Sequence, residues 1–383
     1  MQKFIKILLL MLSCFSSCCS SPVDQDSNQK PLWTTSLTDG GLIFGTFPVI
    51  NTELGILFIG AEGNKRTLFF IDKANGAIKW RWSDYFSSAE DVYVSSVHLF
   101  QNKCTFYNIG NIYSLDLEKG TSVWRIAKRG GGIDGISGLG TTFFYANDTN
   151  LEQGNLINQQ TEKFFSIENP TGYRMFINAP LAFINQNSDT ILLTTRGGLQ
   201  LMNSTAVPSY LLLYNLTKRQ LLYDSVQQDN TRFGLPEIVG NKVYMALGLS
   251  LQCNDLQTGR LLWRKKFESN FIRSGLTISD GKVFAGCEDT NFYCLDAETG
   301  NILWQLNGIV GGSHKPFVMN GVVYFTRTYL YAVDINTGQI LWKRECPEQA
   351  QNGSVYFFGR VTGSDGKIYV QSYKSAYCYK AAR

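Results

Sequence analysis

Histidine is scarce in this sequence, and basic clusters, C-x-x-C pairs and long apolar runs beyond the N-terminal segment are missing. The 383 residues include two histidines, and charged residues make up 17% of the chain. Without a C-x-x-C pair we expect no zinc site, and without basic runs we expect no nucleic-acid surface. A membrane-spanning helix needs about 18 or more consecutive apolar residues, and no such run follows the first residues of the chain. The sequence therefore predicts neither a metal nor nucleic acid as a ligand.

What the sequence has instead is a short pattern repeated five times: an Asp, a Gly four residues later, and a Trp four residues after the Gly. The copies are Asp72/Gly76/Trp80, Asp116/Gly120/Trp124, Asp255/Gly259/Trp263, Asp296/Gly300/Trp304 and Asp334/Gly338/Trp342. A period of roughly 40 residues indicates a repeat array. The apolar residues before each Asp suit a strand, the Asp and Gly suit a tight turn, and the Trp provides a large apolar surface in the next strand.

A second hairpin signal lies upstream of these units. The dipeptides Asp280-Gly281, Asn320-Gly321 and Asp365-Gly366 each separate two short apolar runs. Dipeptides of this kind between apolar runs are the strongest short signal for a β-hairpin. Each period therefore holds four short antiparallel strands, which together make one blade of a β-propeller.

The aromatic residue expected in each fourth strand recurs at eight positions. They are Trp33, Trp80, Trp124, a position near Phe165, Tyr223, Trp263, Trp304 and Trp342. The sequence thus predicts an all-β, eight-bladed propeller with four antiparallel strands in each blade. We expect Asn158, Thr161 and Glu162 to replace Asp, Thr and Gly in the turn of the fourth blade. In the fifth blade Asn215 and Arg219 replace Asp and Gly, so its turn should differ.

The two ends of the chain are expected to close the ring. Trp33 is a fourth-strand residue, but the first three strands of its blade do not precede it. The strand-like segments near 355–360, 367–372 and 376–380 lack a fourth strand after them. Pairing the strand around 31–36 with these three would leave only short outer edges open. Residues 30–383 are therefore predicted to form one propeller domain, which we expect to be monomeric.

The first 17 residues have the features of a secretory signal. Lys3 and Lys6 precede a short apolar run and then small residues. Residues 18–29 are mostly polar and are predicted to form a flexible tether.

The residues before Cys18 resemble a bacterial lipobox. Phe15-Ser16-Ser17 precede this cysteine, although Leu is usual at the position of Phe15. We expect acylation at Cys18, with Cys14 or Cys19 as alternative sites. An ordinary leader that happens to contain cysteines is the alternative to a lipid anchor.

Cysteine and histidine are the candidate reactive residues of the propeller. Its six cysteines are Cys104, Cys253, Cys287, Cys294, Cys346 and Cys378. Cys253 and Cys294 precede a repeat Asp by two residues, where other blades have Ser114 and Ala332, so we interpret this position as a small core site. A disulfide between Cys287 and Cys294 is the alternative interpretation for these two residues, because an exported chain permits disulfides.

Neither His98 nor His314 is expected to be catalytic. Single histidines in β-rich sequence are more often packed or solvated, and no G-x-S-x-G nucleophile turn accompanies them.

The segment from Phe292 to Trp304 closely resembles the PQQ-type propeller repeat, and the resemblance extends over about residues 30–383. Eight predicted blades with a lipoprotein-type leader are similar to the BamB family. This resemblance implies a non-enzymatic scaffold without a cofactor, held at the membrane only by its lipid anchor. It also implies a place on the periplasmic side of the outer membrane or at the cell surface, and a protein partner such as the POTRA domains of BamA.

Two other functions are compatible with the same repeat. A propeller lipoprotein that binds a glycan or another cell-surface ligand is the first. A PQQ-dependent dehydrogenase is the second, although many such enzymes stack the quinone on a vicinal disulfide and the only adjacent cysteines here are Cys18-Cys19.

The stretch at about 187–209 lengthens the fifth blade. It is a candidate contact site, and a tolerated surface loop is the alternative interpretation.

Overall fold

The structure is a computed structural model that describes residues 30–40, 43, 49–63, 65–82, 84, 96–108, 111–127, 133–200, 209–228, 236–271, 275–309, 314–349 and 353–383. Every regular element in these residues is a β-strand, and the strands form eight antiparallel sheets arranged as the blades of a propeller. The predicted signal segment, the tether and the acylation site Cys18 lie outside the described residues.

The strands follow one another along the chain, and each blade is one sheet. The first strand is β1 (Trp33–Ser36), which belongs to blade 1. Blade 2 contains β2 (Ile50–Asn51), β3 (Ile56–Glu62), β4 (Lys65–Ile71) and β5 (Ile78–Trp82). Blade 3 contains β6 (Val97–Phe100), β7 (Lys103–Asn108), β8 (Asn111–Asp116) and β9 (Thr121–Ala127). Blade 4 contains β10 (Ile133–Leu139), β11 (Thr142–Asn147), β12 (Asn150–Asn155) and β13 (Thr161–Ser166).

Blade 5 has one strand more than the others. It contains β14 (Tyr173–Ile177), β15 (Leu181–Ile184), β16 (Thr190–Gln200), β17 (Ser209–Asn215) and β18 (Gln220–Gln228). Because β14 and β15 pair with successive parts of β16, the two together take the place of a single first strand.

The last three blades return the chain to blade 1. Blade 6 contains β19 (Glu237–Val239), β20 (Lys242–Leu247), β21 (Ser250–Asp255) and β22 (Leu261–Lys266). Blade 7 contains β23 (Thr277–Ser279), β24 (Lys282–Gly286), β25 (Phe292–Asp296) and β26 (Ile302–Leu306). Blade 8 contains β27 (Phe317–Met319), β28 (Val322–Thr326), β29 (Leu330–Asp334) and β30 (Ile340–Arg344). Blade 1 is completed by β31 (Phe357–Ser364), β32 (Lys367–Ser372) and β33 (Ser375–Lys380).

The first strands of the blades surround the central axis. Contacts join β19 to β23, β23 to β27, β27 to β31, and β31 to β2. The second and third strands are almost fully apolar on both sides and bury their side chains between neighbouring blades, as where Phe292 of blade 7 stacks on Phe325 of blade 8 at 3.8 Å. We call the face with the turns between second and third strands the upper face, and the face with the turns between first and second strands and between third and fourth strands the lower face.

The predicted closure of the ring is confirmed. Strand β1 pairs antiparallel with β33, with Trp33 opposite Cys378 and Thr34 opposite Tyr377. The C-terminal residues then bind blade 8: the Ala382 amide donates to the Tyr324 hydroxyl at 2.9 Å, and Arg383 pairs with Asp334 at 2.8 Å. Blade 1 is thus built from both ends of the chain and packs on its neighbour.

The prediction for the turn of blade 4 was wrong by three residues. Asn155, rather than Asn158, takes the position of the repeat Asp, because its Oδ1 accepts the amide of Ile157 at 2.8 Å and its carbonyl accepts the amide of Gln159. Thr161 and Glu162 belong to the following strand. The residue at the spacing of the repeat Trp is Lys163, which is exposed, whereas Phe165 pairs with Leu151 beyond a β-bulge. The strand pattern therefore persisted here although the turn residues had changed.

In blade 5 the substituted turn residues lie where the sequence placed them. Asn215 Oδ1 accepts the Lys218 amide at 2.9 Å, and Arg219 adopts a φ of 52° at the position of the repeat Gly. The turn differs as expected, because the Arg219 amide donates to Leu216 and not to the residue at the Asp position.

Candidate functional site

Trp33 and four of the five repeated Trp residues join their blade to the next. The indole N–H donates to the carbonyl of the residue that follows the Asp-position residue of the next blade. These bonds run from Trp33 to Lys73, Trp80 to Leu117, Trp124 to Leu156, Trp263 to Ala297 and Trp304 to Ile335, at 2.8 to 3.2 Å. The Tyr223 hydroxyl makes the equivalent bond to Leu256 at 2.9 Å. The buried polar group of each aromatic residue is thereby satisfied across a seam.

The repeat Gly lies beneath the aromatic residue of the preceding blade. At Gly300 an added Cβ would lie 2.5 Å from the Trp263 ring, and at Gly120 it would lie 2.4 Å from the Trp80 ring. Both glycines also have a positive φ, 71° and 69°. The residue is therefore constrained twice, by backbone conformation and by contact with the neighbouring Trp, and sequence reasoning found only the first constraint.

The contacts of Gly76 and Gly259 change the grouping of the repeat residues. The sequence grouped each glycine with the Trp of its own repeat, whereas the structure places both glycines against the preceding blade. An added Cβ at Gly76 would lie 2.7 Å from the Trp33 ring, so this glycine contacts the strand that closes the ring. At Gly259 the nearest atoms belong to Ser225 at 2.6 Å and the Tyr223 ring at 2.8 Å, so its aromatic partner is not a Trp. The two glycines, with φ of 76° and 69°, therefore belong to the seams between blades as much as to their own turns.

The repeat Asp organises its own turn. Asp296 Oδ1 accepts the Thr299 hydroxyl and the Thr299 amide, both at 2.8 Å, and the Glu298 amide at 3.1 Å. Turn amides are bound in the same way by the other repeat carboxylates, those of Asp72, Asp116, Asp255 and Asp334. These hydrogen bonds, of which the one from the Thr299 hydroxyl contributes most, lower the pKa of the Asp296 carboxyl. The Asp, Gly and Trp residues thus connect the blades and do not converge on one chemical site.

The six propeller cysteines are free and buried. Cys253, Cys294 and Cys378 lie opposite the fourth-strand Trp of their blades, as do Ser114 and Ala332. In blade 2 the same position holds Phe70, which stacks on Trp80 at 4.9 Å, so the position is not restricted to small residues. Burial raises the pKa of the Cys104, Cys294 and Cys378 thiols to about 12, which leaves them protonated and unreactive at neutral pH.

Five ionisable residues from blades 6, 8 and 1 come together at the upper end of the central axis. Glu237 lies at the start of β19, His314 and Lys315 precede β27, Arg327 follows β28, and Arg360 lies in β31. The Lys315 ammonium extends past Gly275 of blade 7 to form an ion pair with Glu237 of blade 6. We call these five residues the axial cluster.

A hydrogen bond between blades 8 and 1 brings the two arginines of the axial cluster together. The Thr326 hydroxyl donates to the Gly359 carbonyl at 2.7 Å, so Arg327 and Arg360 follow directly on the two sides of this hydrogen bond. Arg327 is 2% exposed, and its Nη2 donates to the Cys287 carbonyl at 2.8 Å. His314 packs edge-to-face on Phe358, with ring centroids 6.0 Å apart. Burial, and then the charges of Arg360 and Arg327, lower the pKa of His314 to about 4, so its ring is neutral at pH 7.

A groove of about 680 Å³ lies on the lower face between blades 1, 2 and 3. It is lined by the turns between first and second strands and between third and fourth strands. Leu54 and Leu99 give it exposed apolar surface, and Lys73, Glu53 and Asp365 give it charge. It lies on the face opposite the axial cluster and is therefore a separate surface.

Blade 5 is extended towards the upper face, where its second strand β16 has eleven residues and pairs with β17 as a hairpin. Strands β16 and β17 pair up to Arg196 and Tyr210, and the predicted stretch at 187–209 includes this extension, although residues 201–208 lie outside the described part. The Arg196 guanidinium stacks on the Tyr210 ring at 3.6 Å and binds the Asp224 carboxylate at 2.6 and 2.9 Å. A bidentate pair of this kind fixes the orientation of the planar guanidinium. These contacts join strands β16, β17 and β18 at the base of the hairpin.

In the described part of the chain no group of three or more His, Cys, Asp and Glu side chains could hold a metal ion. Among the same residues no helix is long and apolar enough to cross a membrane. His98 is buried and packed, with its Nε2 2.9 Å from the Gly140 carbonyl, and it has no acidic partner in the contacts described.

The axial cluster was not found by sequence reasoning. Its members are separated by up to 123 positions, from Glu237 to Arg360, and belong to no repeated pattern. The only available signal was that arginine is placed at the upper end of a buried strand, and sequence alone does not show which strands share the axis.

With this geometry established, the fold defines a class: a β-propeller built from PQQ-like repeats. Residues 225–383 match the model of a family described as "Outer membrane protein assembly factor BamB". The matched part covers blades 6, 7 and 8 and the three C-terminal strands of blade 1. A search among curated proteins gave no match.

Solved structures extend the similarity over most of the chain. BamB from Moraxella catarrhalis is 14% identical and has a TM-score of 0.58, with 92% of this chain and 99% of that chain covered. The quinohemoprotein alcohol dehydrogenase from Comamonas testosteroni is 10% identical and has a TM-score of 0.67, with 91% and 76% covered. The computationally designed Ika8 protein is 12% identical and has a TM-score of 0.66, with 90% and 99% covered.

These findings confirm the resemblance to PQQ-like propellers and to BamB predicted from the repeats. At such low identities the structural likeness shows the fold alone. Because a BamB and an alcohol dehydrogenase share that fold, the fold by itself does not distinguish a scaffold from an enzyme.

Proposed function

We propose that this protein is a lipid-anchored, non-enzymatic scaffold that serves as an accessory factor in the assembly of outer-membrane β-barrel proteins. The observation that supports this most directly is the match of residues 225–383 to a family described as an outer membrane protein assembly factor. In this proposal the chain is exported, acylated at Cys18, and held on the periplasmic side of the outer membrane by the tether of residues 18–29. Its partner is a protein of the assembly machinery, with POTRA domains of BamA type as the first candidate.

The extended hairpin of blade 5 is the proposed contact surface. The Arg196–Asp224 pair and the Tyr210 ring keep the base of the hairpin in one conformation, which lowers the entropy lost when a partner binds. Loops on a rigid scaffold are also where binding residues concentrate in proteins generally. A projecting hairpin on one blade gives the ring a single distinguishable side for docking.

The test is affinity purification of the tagged full-length protein from detergent-solubilised membranes after crosslinking in intact cells. We expect barrel-assembly components in the purified material. Replacing residues 201–208 by a short Gly-Ser turn should remove them, whereas Ile157→Ser, at a residue that is 75% exposed in a lower-face turn of blade 4, should not. Recovery of no assembly component with the intact chain would contradict the proposed function, and equal recovery with both variants would contradict the hairpin as the contact.

The anchor has its own test. Cys18→Ser should release the protein from the membrane fraction into the periplasmic extract if Cys18 is acylated. Unchanged membrane association would indicate another site or another means of attachment, and a wild-type protein already found in the extract would indicate an ordinary leader.

A further inference from the structure

We infer that the lower-face groove between blades 1, 2 and 3 is a docking site for an extended segment of a partner protein in which apolar residues alternate with lysine or arginine. The groove lies on the face opposite the hairpin of blade 5 and has its own lining residues. The inference is therefore independent of the proposed assembly function.

Three blades supply the groove, and hydrogen bonds across their seams hold them together. The side-chain amide of Asn51 in blade 2 donates to the Gly363 carbonyl of blade 1 at 3.2 Å. The Trp80 indole of blade 2 donates to the Leu117 carbonyl of blade 3 at 2.8 Å. A site formed in this way exists before the partner arrives, so little binding energy is lost in ordering it.

The apolar part of the groove is centred on two exposed leucines. Leu54, in the turn between the first and second strands of blade 2, is 37% exposed, and Leu99, in the first strand of blade 3, is 39% exposed. Most of the surface that lines the groove is apolar. Single exposed leucines are common, whereas apolar surface gathered in a groove with a polar rim is typical of a docking site. The two leucines favour a partner that brings apolar side chains.

The charge of the lining residues is negative. Glu53 of blade 2, Glu118 of blade 3 and Asp365 of blade 1 line the groove together with a single cation, Lys73. Glu53 and Asp365 act on the charge of Lys73. None of the three carboxylates forms a hydrogen bond or an ion pair with another residue in the described part of the chain. An acidic rim around an apolar floor complements a partner that carries positive charge.

A further cation, Lys79, lies beside the groove without changing the sign of its charge. Its ammonium donates to the Leu54 carbonyl at 2.7 Å and lies 3.5 Å from the Asp72 carboxylate. The charges of Lys79 and Asp72 therefore offset each other.

An extended chain fits this arrangement because the carboxylates and leucines come from three successive blades, so that the ligand has to cross two seams. Successive side chains of an extended chain point to opposite sides. Apolar residues at every second position can then face the floor of the groove, while the basic residues between them reach the carboxylates at its rim.

The N-terminal segment of the chain itself is the competing occupant. The ring begins beside the groove, where the Trp33 indole donates to the carbonyl of Lys73. Residues 18–29, however, contain Asp24 and Asp26 and no lysine or arginine. Their negative charge disfavours an acidic groove, whereas a basic segment from a partner is attracted to it.

The test is fluorescence anisotropy with the purified full-length protein and a short labelled peptide in which leucine and lysine alternate. We expect saturable binding that weakens as the salt concentration rises, because exposed charges are screened. Three other probes should each bind at least about tenfold more weakly: the same peptide with glutamate in place of lysine, a peptide with the sequence of residues 20–29, and spermidine as a competitor with charge alone.

Removing the acidic rim should weaken the peptide. The combined variant Glu53→Gln, Glu118→Gln and Asp365→Asn is expected to bind it about tenfold more weakly, as for the loss of three exposed ion pairs. All three residues are exposed in turns, so the fold should be kept, and the urea midpoint checks this.

A matched variant removes the same charge elsewhere. Glu168, Glu268 and Glu345 are exposed and lie outside the groove. Changing all three to Gln should leave binding of the peptide unchanged.

The apolar contact is tested in the same way. Leu99→Ser should weaken the peptide about fivefold, because part of a leucine side chain is no longer buried by the partner. Leu303→Ser is the control, since this leucine is 49% exposed on the outer strand of blade 7.

Carboxyl labelling with a carbodiimide, followed by mass spectrometry, gives a second measurement. The bound peptide should protect Glu53 and Glu118 from labelling and leave Glu268 unchanged.

Four results would overturn the inference. The first is equal binding of the lysine and glutamate peptides, and the second is tighter binding of the peptide of residues 20–29 or of spermidine. The third is unchanged binding in the combined rim variant or in Leu99→Ser. The fourth is a bound peptide that leaves labelling of Glu53 and Glu118 unaltered.

Discussion

The seam between blades 7 and 8 and the seam between blades 4 and 5 bury aromatic side chains in different ways. Between blades 7 and 8, Trp304 lies over Gly338 and donates to the Ile335 carbonyl at 3.0 Å. Between blades 4 and 5, the position of the Trp holds the exposed Lys163, and two phenylalanines pack on Tyr214 instead, with ring centroids 5.1 and 5.6 Å apart. Both seams therefore bury aromatic surface. The Trp–Gly contact with its hydrogen bond is one of the two ways in which they do so.

The largest effect is expected at the regular seam. Trp304→Ala removes the indole from its contacts with Gly338 and Phe292 and deletes the hydrogen bond to Ile335. We expect the free energy of unfolding to fall by about 3 kcal/mol, as for other large aromatic-to-alanine changes. Lys163→Ala, at the same spacing in blade 4, should change it by less than about 0.5 kcal/mol. Urea unfolding followed by fluorescence and circular dichroism measures both, and similar losses for the two variants would show that the seams do not differ.

The second prediction separates the two constraints on the repeat glycine. Gly300 and Gly281 have almost the same φ, 71° and 68°, but a Cβ at Gly300 would lie 2.5 Å from Trp263 whereas none of the surrounding atoms is within 4 Å at Gly281. Gly281→Ala should cost about 1 kcal/mol from backbone strain alone. Gly300→Ala should cost about 1 to 3 kcal/mol more, because the Trp ring has to move. Equal melting temperatures for the two variants would show that contact with the Trp263 ring does not constrain Gly300.

Acid sensitivity is the third difference between the two regions. The pKa of Asp255 and of Asp296 is lowered, chiefly by the hydroxyls of Thr258 and Thr299, whereas blades 4 and 5 have uncharged Asn155 and Asn215 at this position. A carboxyl whose folded-state pKa is lowered stabilises the fold above its unfolded-state pKa. That contribution is lost as the pH falls below about 4 and through the folded-state pKa.

Asp296→Asn should therefore reduce the loss of stability between pH 5 and pH 3. The reduction should be less than about 1 kcal/mol, because the carboxylate is partly exposed and screened by water. The measurement is the urea midpoint at several pH values, with Glu298→Gln in the same turn as the control. An unchanged pH dependence in Asp296→Asn would mean that the turn carboxylate contributes nothing to acid unfolding.

The smallest effect is expected opposite the Trp residues. Cys294→Ala should cost about 1 kcal/mol or less, since Ala332 already occupies the equivalent position opposite Trp342. The native protein should also resist alkylation by iodoacetamide, because burial raises the pKa of the thiol. A rapid reaction of any propeller cysteine in the folded protein, detected by mass spectrometry, would show that its blade opens.

The repeat made the fold predictable and left the axial cluster unpredictable. Asp, Gly and Trp recur at fixed spacing, so strands, turns, blade number and ring closure followed from the sequence. The error in blade 4 arose because Asn155 and Asn158 both suit the start of a turn. Only the hydrogen bonds of the turn identify Asn155 as the residue that begins it. Arg327 and Arg360 escaped notice because their proximity depends on which blades are neighbours around the axis, and each is an isolated arginine in its own segment.

The contacts of the repeat glycines escaped notice for a related reason. Spacing along the chain associates Gly76 with Trp80 and Gly259 with Trp263, but the aromatic ring over each glycine comes from the blade before it. A contact across a seam joins residues about 35 to 45 positions apart, and the linear pattern alone does not show it.

The pairing of β1 with β33 has a mechanical consequence. If the chain is tethered through its N-terminus, a pull away from the membrane reaches the ring at Trp33, the first residue of a four-residue strand at the outer edge of blade 1. Load applied at the end of an outer strand breaks its hydrogen bonds one after another, as in opening a zipper, rather than all at once. The indole of Trp33, bonded to Lys73 of blade 2 at 3.1 Å, is therefore the first side chain to bear the strain.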